Sequence, residues 1–184
     1  MLTVLINKPQ FEYDIHSLVR AFYPGEDVKV ICAEEAPEAE NSALPVIHLS
    51  FEEESVTMTL MVTTQNGAGS EFRVSRVEHA SDAARVEIKN LVKQLIYKGL
   101  SKYLNKELPW GTLTGIRPTK IPMTMLEEDK TEAEIMDYMK DTYFISDEKG
   151  NLSIDIAKRE KKLLSTLHYK DGYSISLLSI RNEE

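Results

Sequence analysis

Hydrophobic positions recur mainly every second residue in the first eighty residues and every three to four residues thereafter. Leu2 to Ile6 is a short aliphatic run that predicts a strand, and Phe11, Ile15, Leu18, Val19 and Phe22 follow at helical spacing up to the stop at Pro24-Gly25. Val28, Val30 and Cys32 alternate, a pattern in which Cys32 packs as a small apolar side chain. The acidic stretch from Glu34 to Glu40 reads as a solvated loop. Ile47, Leu49 and Phe51 alternate up to a turn at Glu52 to Glu54. Val56, Met58, Leu60 and Val62 alternate next, Asn66 to Gly69 breaks the pattern, and Phe72 and Val74 resume it. The prediction is a strand, a helix and four more strands, the last three an antiparallel meander.

Beyond Ser81, a candidate N-cap, the positions Ala84, Ile88, Leu91, Val92, Leu95, Ile96, Leu100, Tyr103 and Leu104 mark a long amphipathic helix. Arg85, Lys89 and Lys93, four apart, fall on its polar flank. Leu108 to Lys120 holds too many Pro and Gly residues for a regular helix and predicts a structured connection. Thr131 to Glu134 matches a capping box, with Ile135, Tyr138 and Met139 behind it. Ser146 can cap a last helix whose apolar face is Leu152, Ile156, Leu163, Leu164 and Leu167, with Lys158, Arg159, Lys161 and Lys162 outward and a candidate interruption at Gly150-Asn151. The fold class is α+β: a small, mostly antiparallel sheet with a helix, followed by a helical subdomain. The expected division is 1–80, then 81–174 carrying the Trp110–Lys120 segment, then a disordered or truncated tail at 175–184.

Charge sharpens that division. The chain of 184 residues carries −8, yet residues 1–80 hold 5 basic and 13 acidic side chains while the remainder holds 17 of each. This balance argues against coating nucleic acid or a membrane. The N-terminal apolar run is too short for a signal-peptide core or a membrane span, so a cytoplasmic location is expected. Cys32 is the only cysteine and can neither close an intrachain disulfide nor supply a thiolate cluster. His16, His48, His79 and His168 lack the spacing of metal ligands, and Glu52 to Glu54 reads as a solvated turn, so no metal site is expected. No Ser-His-Asp set or nucleophile elbow is present, and no catalytic residue is indicated.

One segment has the composition of a binding site. Trp110, Gly111, Thr114, Gly115, Arg117, Thr119 and Lys120 bring together close-approach backbone, hydroxyls and two fixed cations, the inventory for holding a phosphate or carboxylate. It lacks the spacing of a phosphate-cradling P-loop or a dinucleotide fingerprint. The alternative is a tight loop stapling the two halves together, with Trp110 a buried anchor and Pro118 opening a helix.

Leu108 to Lys120, followed by Ile156-Ala157-Lys158-Arg159-Glu160 and Tyr169-Lys170-Asp171-Gly172-Tyr173-Ser174, resembles the N-terminal region of bacterial coproporphyrinogen dehydrogenase-like proteins. These are relatives of oxygen-independent coproporphyrinogen III oxidase in the radical S-adenosylmethionine class, and the resemblance covers roughly residues 85 to 175. It implies a parent protein that oxidatively decarboxylates porphyrinogen propionates in heme biosynthesis. The parent's cofactors would be S-adenosylmethionine and an iron–sulfur cluster held by a Cys-x-x-x-Cys-x-x-Cys motif. That motif does not occur in these 184 residues. The resemblance therefore implies an accessory domain, a fragment of a longer protein, with no cofactor of its own and with the C-terminal barrel as its partner. The rival reading is a noncatalytic anion-binding or interaction module that docks on a barrel or a second protein.

Overall fold

In the computed structural model, residues 1–32, 45–63, 70–115 and 117–165 are described. The acidic stretch at 34–40, the break at 66–69, Leu167, His168, the 169–174 motif and the expected tail at 175–184 lie outside them.

The elements run β1 (Leu2–Ile6), α1 (Glu12–Phe22), β2 (Val28–Cys32), β3 (Val46–Phe51), β4 (Ser55–Thr63), β5 (Ser70–Glu78), α2 (Arg85–Leu104), α3 (Lys120–Glu127), α4 (Glu132–Tyr143) and α5 (Asp147–Ser165). This is the predicted α+β fold. The five strands form one sheet in the order β2-β1-β3-β4-β5. β1 runs parallel to both of its neighbours. The longer ladders, β3–β4 and β4–β5, are antiparallel and make the predicted meander.

One face of the sheet is covered by α1 and α2. Ile15, Leu18, Val19 and Phe22 lie on one stripe of α1 and are buried against it, as are Val92, Ile96 and Leu100 of α2. Phe11 stacks on Phe51 with ring centroids 5.0 Å apart. A second, smaller cluster joins Ile135, Met139, Ile145 and Ile154 of the α4–α5 hairpin, with Trp110, Leu113 and Ile121 packed on it. The hydrophobic clusters thus divide after α2, whereas the sequence period changes near residue 80.

Five details differ from the sequence reading. α2 begins at Arg85 behind Ala84, which makes no side-chain cap, so Ser81 does not open it. Cys32 is exposed at the end of an edge strand. Lys93, placed on the polar flank by its charge, is buried at 9% exposure. On α5 the inward face is Gly150, Ser153, Ile154 and Ala157, while Leu152, Ile156 and Leu163 are exposed. Small residues let α5 lie close to α4, and a Cβ at Gly150 would stand 2.5 Å from Met136 Sδ. The helix runs through Gly150 without interruption.

The predicted caps at Thr131 and Ser146 are in place. Glu134 N–H donates to Thr131 Oγ1 at 3.3 Å, and in return Thr131 N–H and Thr131 Oγ1 donate to Glu134 Oε2 at 2.8 and 2.7 Å, which holds the Glu134 carboxyl below its ordinary range. Ser146 Oγ accepts from Lys149 N–H at 3.3 Å at the start of α5.

Tyr23, just past α1, buries its hydroxyl without a hydrogen-bond partner. Burial, reinforced by Tyr103, pushes its ionisation from 10.0 up to about 12. The folded state therefore holds this proton where the unfolded chain releases it, and the resulting stability is lost as pH rises from about 10 to about 12. Tyr23→Phe removes an unsatisfied hydroxyl, so at neutral pH its urea midpoint should correspond to a gain of up to ~1 kcal/mol. The variant should also lose less stability than the parent across that alkaline window; equal alkaline losses would contradict the assignment.

Candidate functional site

The Leu108–Lys120 segment leaves α2 after a left-handed Asn105 cap and enters a run of turns. Its first half is bonded to the α4–α5 corner. Thr112 N–H donates to Tyr143 O at 2.8 Å, and Ser146 N–H donates to Pro109 O at 3.0 Å. Gly111 adopts φ +54°, and a Cβ there would stand 1.9 Å from Tyr143 O, so no other residue fits without displacing backbone. Its own N–H is spent on Leu108 O at 2.8 Å. This geometry matches the stapling alternative for Gly111 rather than backbone held free for a ligand. Trp110 is half-buried on the second cluster, with Lys149 Nζ 6.0 Å from its ring.

Thr114 turns the other way, toward α1 and α2. Lys93 Nζ donates to Thr114 Oγ1 at 2.9 Å, and Thr114 Oγ1 lies 3.0 Å from Ser17 Oγ. Ser17 gives its proton to Asp14 O at 3.0 Å, so the threonine is the donor of that pair. The result is a one-directional chain, Lys93 to Thr114 to Ser17 to Asp14, that joins three elements. Burial lowers the Lys93 pKa, with the Asp14 carboxylate opposing the shift and Lys89 adding to it. Sequence reading missed Lys93, although its spacing from Ile96 and Leu100 puts it on the buried stripe.

The second half of the segment diverges. Gly115 is exposed with open space around it. Arg117 is exposed and pairs with Glu160 of α5 at 3.4 Å. Thr119 is buried at the N-cap position of α3, and Pro118 lies in the turn before it. Lys120 opens α3 and borders a groove of about 430 Å³ shared with Met125, Glu128 and Tyr138. The structure therefore does not converge Gly111, Arg117 and Lys120 on one ligand position. A groove of about 930 Å³ lies between α2 and the Phe144–Ser146 turn, and no residue from Trp110 to Lys120 lines it.

No group of three or more His, Cys, Asp or Glu side chains is placed to hold a metal among the described residues, and one thiol does not fit a three-thiolate cluster. No described helix is long and apolar enough to cross a membrane.

No family model matches the chain, and no solved structure matches it. Over 90 residues, 48% of its length, the chain is 31% identical to the oxygen-independent coproporphyrinogen-III oxidase-like protein HemZ of Bacillus subtilis. The match spans only 18% of that protein, so the chain is a partial relative of a coproporphyrinogen oxidase-like protein.

Proposed function

We propose that these residues form an N-terminal accessory domain of a protein related to the oxygen-independent coproporphyrinogen III oxidases. In this reading a radical S-adenosylmethionine barrel outside these residues holds the iron–sulfur cluster, and porphyrinogen carboxylates are the substrate groups of the whole protein. The 90-residue similarity carries the reading. The lone thiol supports an accessory rather than catalytic part, because the cluster needs thiolates this chain does not have. Leu108–Thr114 is the internal staple, and the exposed cations Arg117 and Lys120 form an edge on which the barrel docks.

Iron and sulfide reconstitution tests it. The full gene product should turn brown and bind S-adenosylmethionine, whereas residues 1–184 alone should stay colourless. A full gene product that takes up no cluster would overturn the proposal.

A further inference from the structure

A recess of about 370 Å³ lies between α1 and the Leu108–Thr114 loop, a volume suited to a small organic ligand. Leu108, Trp110 and Leu113 give it an apolar wall, and Ser17, Arg20 and Thr114 give it a polar end. Arg20 is exposed and has no ion-pair partner among the described residues. Its planar guanidinium suits a carboxylate held by two parallel hydrogen bonds.

Behind this end lies Lys93, a residue nine-tenths buried, whose ammonium has Thr114 Oγ1 as its hydrogen-bond acceptor. A buried ammonium is costly unless negative charge is near it, and Asp14 is the carboxylate whose field acts on it. An anion in the recess would supply a second. Because Lys93 occupies a lone pair of Thr114, the threonine proton points away from the lysine, and it passes to a ligand oxygen if that oxygen replaces Ser17 as acceptor.

We propose that this recess binds a small organic carboxylate with an apolar tail. Arg20 and Thr114 hold the carboxylate, Trp110 and Leu113 cover the tail, and Lys93 is a positioning residue acting through Thr114. The site stands apart from Arg117 and Lys120, so it holds or fails independently of the docking edge.

Trp110 is the chain's only tryptophan and borders the recess, so its emission reports occupancy directly. Titrating the 184-residue chain with sodium hexanoate at fixed ionic strength should give a saturable change. Arg20→Gln, at an exposed position, should weaken it about tenfold. Thr114→Val should weaken it and Thr114→Ser restore it, while Arg159→Gln, on exposed α5 surface, should leave it unchanged. No saturable response would sink the proposal, as would an unchanged affinity in Arg20→Gln. A response to hexanol equal to that with hexanoate would reduce the recess to an apolar dent, and equal binding of inorganic phosphate would remove the requirement for a tail.

Discussion

Gly111→Ala is expected to lower folding stability by about 3–5 kcal/mol, the largest effect of any Gly→Ala change among the described residues. Two costs add. An L-residue at φ +54° is strained, and its Cβ would meet Tyr143 O at 1.9 Å and Phe144 O at 2.5 Å. Neither atom belongs to a flexible side chain. Relief would require breaking the Thr112–Tyr143 hydrogen bond or shifting Phe144, itself left-handed at φ 56°. Gly115→Ala is the matched control, because open space surrounds it, and it should change stability by less than about 0.5 kcal/mol. Urea denaturation of the three proteins separates the cases, and equal midpoints for Gly111→Ala and Gly115→Ala would refute the stapling geometry.

Ile135→Ala should cost about 2–5 kcal/mol, as a wholly buried aliphatic side chain in a cluster too small to collapse around the cavity. The more informative result is how unfolding is shared. The α4–α5 hairpin is tied to the first cluster by Phe144, which follows α4 and packs on Tyr97 with ring centroids 5.4 Å apart, and by Gln94 Nε2 donating to Thr142 O at 2.8 Å. With that bridge, loss of Ile135 should move the far-ultraviolet dichroism and Trp110 emission transitions together. If only the Trp110 transition moved, the hairpin would be an independently melting unit.

Much of this fold was legible because the informative residues act locally. The stripe Ile15, Leu18, Val19 and Phe22 could satisfy only a helix on a sheet, and the alternation through β3 and β4 could satisfy only strands with one buried face. The Thr131 capping box is a four-residue event. The misplaced residues depend on what arrives from elsewhere. Lys93 looks solvated until Thr114 is laid over it, and Leu152 looks buried until Gly150, Ser153 and Ala157 let α5 approach on its small-residue face. The candidate site was read as one because its residues are adjacent in sequence. The turns at Pro109–Thr112 and Pro118–Thr119, with the bend at Gly115, send Thr114, Arg117 and Lys120 to different neighbours.

The position of β1 bears on the order in which the sheet is completed. It is made first, yet its two partners are β2 and β3, so one of its edges has no partner until synthesis has passed Phe51. The β3–β4–β5 meander needs only near-neighbour pairing, whereas inserting β1 requires closing a loop that spans α1 and β2. On a translating ribosome, Leu2 to Ile6 is therefore an apolar strand that waits, and shielding it falls to α1, whose buried stripe is complete by Phe22.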